Sequence, residues 1–455
     1  MKLYDLIGVG IGPFNLALAA LLEPVAEVDA VFLEQRGDFS WHPGLLLEGS
    51  TTQVPFLADL VTLADPTSPH SFLAYLKAHD RLYRFYFREE FHVPRREYDH
   101  YCRWVARRLA ACRFGRRVGR VRWLDGPALF EADVVDATDR AERVRGRNLV
   151  LGVGSPPHVP AAVAPELGRD VLHAASFLDH REHLRRGSAI AVIGAGQSGA
   201  EIFLELLREQ PLSGYRLDWL TRSAGFFPME YSKLALEHFT PDYTRYFHAL
   251  PMSTRDRLLP TQDLLYKGID AATVAAIYDL LYERTIGGAS PPVRLLPHTA
   301  LRGIERRGGR LRLRCHQWEQ DAHLDVEADR VVLATGYRGD PPACIEELRP
   351  RILWDEAGRY RVGPDYRVRT DPAVTGALFV QNAELHTHGV GAPDLGLGAH
   401  RAATIVNALA GREVYRLPAR GAFTDFAAFT DANHPGVNRC QAPTPSTARP
   451  SPSRS

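Results

Sequence analysis

The chain has 455 residues, with 55 Lys plus Arg against 54 Asp plus Glu and a formal net charge of +1. That balance argues against a nucleic-acid partner, because phosphate contacts need a basic surplus or patch. Hydrophobic residues at 45% and charged residues at 24% are ordinary for a globular chain, which excludes wholesale disorder. The length allows two or three domains. Only Lys2, Lys77, Lys233 and Lys267 are lysines; the other 51 of the 55 cations are arginines. Cys102, Cys112, Cys315, Cys344 and Cys440 are odd in number and form no CxxC pair. A disulfide framework or zinc knuckle is therefore not expected, and the pattern suits a reducing compartment. The N-terminus lacks a signal peptide's apolar region, and no apolar stretch approaches the ~18 residues of a membrane span. The expected address is the cytoplasm, with no membrane partner.

In chain order, Tyr4–Ile7 reads as a buried strand, followed by Gly8-Val9-Gly10-Ile11-Gly12-Pro13 and an apolar helix from Phe14 to Leu22. A second strand, Val28 to Leu33, ends in Glu34. The segment Tyr83 to Arg88 alternates like a strand or packs at an interface. Ser188–Ile193 is a further strand, leading into Gly194-Ala195-Gly196-Gln197-Ser198-Gly199, a helix from Ala200 to Arg208, and a strand Tyr215–Leu220 that ends in Thr221-Arg222. Arg306–Arg314 and His323–Val326 read as strands. Asp329–Leu333 is another, running into Ala334-Thr335-Gly336-Tyr337. From Gln441 to Ser455 the chain is rich in Pro, Ser and Arg and is expected to be disordered. Strand–helix alternation around glycine turns predicts the α/β class, with two Rossmann-like dinucleotide-binding domains.

The two turns differ in chemistry. Gly8 permits a tight bend and Gly10 a close backbone approach to pyrophosphate, while the helix N-terminus behind them offers unpaired N–H groups. Pro13 replaces the third glycine and suits a first helical turn. Glu34 is placed to accept ribose hydroxyls. In the second unit the corresponding strand ends in Arg222, whose guanidinium pairs with a 2′-phosphate that a carboxylate would repel. FAD at the first turn and NADPH at the second follow. A disulfide reductase would carry a cysteine pair just after the first ribose-binding strand, and residues 35–63 contain no cysteine. Oxygen chemistry remains: a flavin C4a-hydroperoxide that the protein shields from water.

Several motifs then point one way. Phe39-Ser40-Trp41-His42-Pro43-Gly44, Gln53-Val54-Pro55-Phe56-Leu57-Ala58-Asp59-Leu60-Val61, Asp65-Pro66-Thr67-Ser68-Pro69, the Asp329–Tyr337 ATGY signature, and Thr387-His388-Gly389 with Pro393-Asp394-Leu395-Gly396-Leu397 occur in this order. The chain from about Tyr4 to about Ala410 thereby resembles the microbial N-hydroxylating flavin monooxygenases of siderophore biosynthesis, most closely their putrescine and cadaverine branch. The resemblance implies an FAD domain from residues 1–165 and 326–438, an NADPH domain over 166–325 with a helical substrate insert around 228–290, and a tail at 439–455. It places Gly8, Gly10, Gly12, Pro13, Glu34, Gln35, Trp41, His42, Gln53, Thr335, Gly336, His388, Gly389 and Leu395 along FAD. Gly194, Gly196, Gln197, Ser198, Gly199 and Arg222 match the NADPH side. No side chain need be a covalent catalyst, and a dimer or tetramer of the chain is expected.

The substrate is read from departures. The ornithine and lysine branches carry F-L-K-D-L, whose lysine holds the substrate carboxylate; here the residue is Ala58. Those branches also place Asn or Asp where this chain has Leu236, before Glu237. A substrate without a carboxylate, putrescine or cadaverine, is the expectation. Gln53, Ala58, Asp59, Leu236 and Glu237 are assigned to the substrate region, with Asp59, Glu230 or Glu237 offered to a distal ammonium. The alternatives are an ornithine or lysine hydroxylase with an arginine reaching in from elsewhere, and an NADPH oxidase-like flavoprotein that hydroxylates no amine. His42, His386 and His388 fit no metal-ligand pattern, and packing or flavin-side hydrogen bonding is expected of them. Lys267 is read equally as a phosphate contact or a solvated cation, and Phe226-Phe227 and Tyr243–Phe247 as core.

Overall fold

The computed structural model describes residues 2–427. Cys440, the 439–455 tail and the end of the expected second FAD segment lie outside the described residues. The first sheet has seven strands. Cys112–Arg113, Ala30–Leu33, Leu3–Val9 and Ala141–Leu151 lie side by side in parallel. Leu378–Val380 joins Ala141–Leu151 in parallel from far along the chain, whereas Leu129–Asp136 and Arg116–Leu124 extend the sheet antiparallel. The helix Pro13–Leu22 starts at proline, whose fixed φ and missing N–H suit that position. Asn15 through Leu22 are all buried in it, and the helix packs on Gly398–Ala410. Both ends of the chain thus build one core.

The second sheet is parallel throughout, in the order Val293–Leu296, Arg216–Leu220, Ala189–Ile193, Arg330–Leu333, Val171–His173. All of Ala189–Ile193 is buried, as befits a parallel strand covered on both faces. The helices Gln197–Ser213 and Ala271–Glu283 cover one face. An antiparallel sheet of Thr299–Arg307, Arg310–Gln317 and Ala322–Ala328 covers the other. Between Tyr231 and Glu283 the chain is mostly short helices. One of them, Pro241–Ala249, puts Tyr243 and Phe247 into a small core with Val390, so these aromatics are core as expected.

Four sequence expectations change. Arg306–Arg314 is not one strand: Gly308 (φ +59) and Gly309 (φ +81) turn the chain between two antiparallel strands. Two successive positive φ angles are what a two-residue hairpin loop needs. Tyr83 to Arg88 contains a helix, Leu82–Tyr86, that exposes Tyr83, Tyr86 and Phe87. The helix begun at Gln197 runs to Ser213, past Pro211 in its last turn, and ends on left-handed Gly214. Finally, Arg330–Leu333, expected in the second FAD segment, pairs with Ala189–Ile193 in the second sheet. No helix among the described residues is long and apolar enough to cross a membrane.

Candidate active site

The first turn is closed by its own neighbours. Gly10 has φ +87, and a Cβ there would stand 2.6 Å from the Gly152 carbonyl oxygen. Its N–H donates to Leu33 at 2.8 Å. Asn15 donates from Nδ2 to the Val9 and Gly10 carbonyls at 3.1 and 2.7 Å and accepts from Gln381 Nε2 at 2.6 Å. Gly12 caps the following helix, with Pro13 in its first turn and no side chain bonded to its N-terminus. A Cβ at Gly12 would meet nothing closer than 3.9 Å, which leaves room for a phosphate at the dipole end. Glu34 accepts from Ile11 N at 3.0 Å and Arg36 N at 2.9 Å, holding its carboxylate over the turn. Gln35 is exposed beside it.

The second turn repeats the plan with fewer bonds. Gly194 has φ +119, and a Cβ would lie 2.3 Å from the Ala334 oxygen. Trp219, stacked on Phe203 at 4.6 Å, donates its indole N–H to the Gly194 carbonyl at 2.8 Å. A Cβ at Gly199 would stand 2.2 Å from that same oxygen. Gly196 caps the helix without a side-chain bond. The Gln197 amide donates to Glu201 at 2.7 Å and accepts from Asp270 N at 2.7 Å, tying the helical insert to the turn. The Ser198 hydroxyl has no partner among the described residues. Arg222 is exposed, and its guanidinium forms no ion pair there; only its carbonyl is used, by Trp318 Nε1 at 2.8 Å. Asp218, close by in sequence, is fully buried and held by Arg294 and Arg216, so no adjacent acid claims Arg222. Lys267 instead pairs with Asp263 at 2.7 Å.

The two units meet at the expected flavin-side residues. Trp41 packs edge-on to His42 at 5.3 Å, and His42 edge-on to Tyr337 at 5.4 Å. Water reaches the His42 ring, yet surrounding protein, helped by Arg95 and Arg36, pushes its imidazole down to about 4. Thr335 and Gly336 serve the crossover between sheets: the Thr335 hydroxyl donates to His158 O, and Gly336 O accepts from His158 N at 2.9 Å. A buried ion pair, Arg95–Glu201 at 2.7 Å, also spans the two units. The Gln53 carbonyl accepts from the Tyr231 hydroxyl of the insert, while its Nε2 is buried without a partner. His388 stacks on Tyr366 at 4.4 Å, and its Nε2 is likewise buried and unpaired. Burial holds that imidazole well below its ordinary range. It precedes Gly389, at φ +79, and Leu395 follows on the same C-terminal segment. Orphaned buried polar atoms are rare without an occupant, and these two, with the open dipole ends, fit a bound dinucleotide. His386 spends Nε2 on the Tyr360 carbonyl at 2.7 Å.

The acids nominated for an ammonium are otherwise engaged. Asp59 is buried and accepts from Val61 N, Thr62 N, Thr62 Oγ1 and Phe72 N at 2.6–2.9 Å, so it caps local turns. Glu237 anchors Phe423 N and Thr424 N at 2.9 and 2.8 Å. Glu230 accepts from Ser232 N at the surface, and Leu236 sits half-buried on the short Ala235–Phe239 helix. Ala58 is buried at 6% exposure, 3.9 Å from where a Gly396 Cβ would stand. Beside it is an acid that only its motif had marked. Asp394 Oδ1 accepts from Gly396 N at 2.7 Å, and Oδ2 has no partner among the described residues. Burial raises this carboxyl to about 6, against the Gly396 N–H and Arg401. Arg401 is already committed to Glu384 in a buried pair.

The family model described as L-lysine 6-monooxygenase/L-ornithine 5-monooxygenase matches residues 2–339. The chain is 47% identical over 430 residues to the rhizobactin siderophore biosynthesis protein RhbE of Rhizobium meliloti, covering 93% of this chain and 95% of that protein. It is 43% identical to a putrescine N-hydroxylase of Shewanella oneidensis, covering 93% and 84% respectively. FAD-bound DfoA, the cadaverine monooxygenase of the desferrioxamine pathway in Erwinia amylovora, matches with TM-score 0.91 and 42% identity over 94% of this chain and 100% of its own. The Kutzneria ornithine N-hydroxylase KtzI, solved with reduced FAD, NADP+ and L-ornithine, matches with TM-score 0.85 and 30% identity over 90% and 99%. The chain belongs to the L-lysine 6-monooxygenase/L-ornithine 5-monooxygenase family.

Proposed function

We propose that this chain uses FAD and NADPH to N-hydroxylate one primary amine of an aliphatic diamine, putrescine or cadaverine, for hydroxamate siderophore biosynthesis. The observation that carries the reading is the pairing of buried Ala58 with the half-free carboxylate of Asp394 across Gly396. An ornithine or lysine carboxylate would meet an acid there, with the nearby Arg401 already bound to Glu384. A diamine brings a distal ammonium, which that acid stabilises. Likeness to a putrescine and a cadaverine enzyme supports the same substrate class.

Reduced FAD, when bound, supplies oxygen activation. The side chains do the rest. Gly10, Gly12, Pro13 and Glu34 form the FAD cradle; Gly194, Gly196, Ser198, Gly199 and Arg222 form the NADPH cradle, which Gln197 joins to the insert. Trp41, His42 and Tyr337 line the passage between them, where the Gln53 amide donates and the unpaired His388 Nε2 offers a further polar contact. A desolvated site favours the free amine over its ammonium, as nucleophilic attack requires. The FAD unit takes both ends of the chain and the NADPH unit its middle. A cytoplasmic dimer or tetramer completes the reading, supported by exposed Tyr83, Tyr86 and Phe87.

The test measures NADPH oxidation and hydroxylamine formation with putrescine, cadaverine, ornithine and lysine side by side. Preference for ornithine or lysine overturns the substrate class and leaves the family intact; peroxide release with every amine favours the oxidase reading. Asp394→Asn keeps the turn cap and removes the charge. It should raise the diamine KM ~10- to 100-fold, the size of a lost charge-assisted bond, without slowing amine-free flavin reduction.

A further inference from the structure

The six tryptophans of the chain are not equally covered. Trp318 is 46% exposed, whereas Trp41, Trp104, Trp123, Trp219 and Trp354 are buried or half-buried. It stands in the loop joining strands Arg310–Gln317 and Ala322–Ala328 of the covering sheet. A single exposed apolar residue is ordinary on a protein surface, but this loop is tied down. The Gln317 side-chain oxygen accepts from Gln320 N at 2.7 Å. Trp318 N donates to the His298 carbonyl at 3.0 Å, and His298 N donates in turn to Ser223 O at 2.9 Å. The indole N–H donates to the Arg222 carbonyl at 2.8 Å, and the His298 ring packs edge-on at 4.9 Å. The acids of the loop, Glu319 and Asp321, sit against His298 and His316 at 3.5 and 2.8 Å. The indole is thus fixed by its edge while much of its surface faces water.

That edge is bonded to the residue read as the 2′-phosphate contact. Arg222 follows the strand after the second glycine turn, where the adenosine of a dinucleotide lies in this kind of fold. In NADPH the adenine and the 2′-phosphate are carried by adjacent ribose carbons. A phosphate on the Arg222 guanidinium therefore holds the base close to whatever flanks Arg222, and an aromatic ring flanks it. Stacking a base on such a ring withdraws apolar surface of both from water and asks for no polar partner. We propose that Trp318 is the platform on which the adenine of NADPH stacks, with Arg222 taking the 2′-phosphate at the same corner. This assignment rests on NADPH occupying the second turn and is independent of the amine substrate.

The experiment is calorimetric and fluorescence titration of the FAD-loaded full chain with 2′,5′-ADP, which carries the adenine and the 2′-phosphate but no nicotinamide. Trp318→Ala should weaken binding ~10- to 100-fold and Trp318→Phe, which keeps a ring but loses the N–H, no more than ~3-fold. The ligand should quench tryptophan emission in the wild type and not in Trp318→Phe. Unchanged affinity in Trp318→Ala overturns the proposal, as does a quench of equal size in Trp318→Phe. Equal losses in the two variants overturn it too, because the indole would then act only through its bond to the Arg222 carbonyl. If Trp318→Ala loses its flavin, the quench in Trp318→Phe decides. Absence of saturable heat in the wild type overturns the NADPH assignment of the second turn together with the stacking. Affinity lost in Arg222→Ala but kept in Trp318→Ala overturns the stacking alone.

Discussion

The Gly8–Pro13 and Gly194–Gly199 turns share strand, glycine bend and uncapped helix, yet they are finished differently. At the first, Glu34 reaches back to the Ile11 N–H, and Asn15 is locked by Gln381 from the far end of the chain. At the second, Arg222 and Ser198 remain unpaired, and Gln197 is tied to Asp270 of the insert. A cradle completed by long-range bonds is preorganised and suits a prosthetic group that stays. A rim of unspent donors suits a cosubstrate that enters and leaves each cycle, because its binding is not opposed by internal partners.

The largest break in that comparison is expected from Gly10→Ala. The left-handed φ of +87 disfavours any Cβ, and the Gly152 carbonyl would stand 2.6 Å from it. The purified variant should hold little or no FAD by absorbance; full flavin content would mean the turn is not the FAD cradle. Next, Arg222→Ala should raise the KM for NADPH ~10- to 100-fold and leave that for NADH nearly unchanged. Equal effects on both cofactors would remove the 2′-phosphate assignment. Glu34→Gln, which keeps one acceptor oxygen, should weaken FAD by ~10-fold in a titration of flavin release, without moving the NADPH KM.

The smallest effect is on pH dependence. His388 is 2% exposed and held neutral by burial, flanked by His248, His386, Arg255 and Arg401. Its folded-state pKa lies below the unfolded value, so protonation favours the unfolded chain. The stability it contributes is present above the unfolded pKa of ~6.5 and declines as pH falls below it. Between pH 7.5 and 5.5 the wild-type Tm should therefore drop further than that of His388→Gln. Parallel Tm curves would show that His388 is not buried neutral.

Much of the architecture was legible because local rules coincide in it: the turn glycines follow apolar strands, Pro13 opens a helix, and Leu16–Leu22 is unbroken apolar sequence. Where those rules compete, reading failed. Arg306–Arg314 has strand residues on both sides of Gly308-Gly309, and alternation alone does not reveal the reversal. Tyr83 to Phe87 alternates like a strand but closes as a helical turn. The site was nominated from the sequence by similar local rules. Glycines and the strand-end residues Glu34 and Arg222 are nominated by their spacing, whereas Gln381, Arg401 and Glu384 act through partners hundreds of residues away or wholly buried.

By itself the sequence determined that two strand–turn–helix units exist, which charge ends each second strand, and that position 58 is an alanine in a chain whose few lysines lie elsewhere. Only the tertiary structure decided which acids are free. Asp59 and Glu237 are as anionic on paper as Asp394, but donors brought to both of their oxygens by the fold occupy them, and Glu230, holding one N–H like Asp394, lies at the surface. Hydrogen-bond satisfaction is settled by neighbours in space, so the residue left with an open oxygen beside Ala58 becomes visible only once the chain has folded.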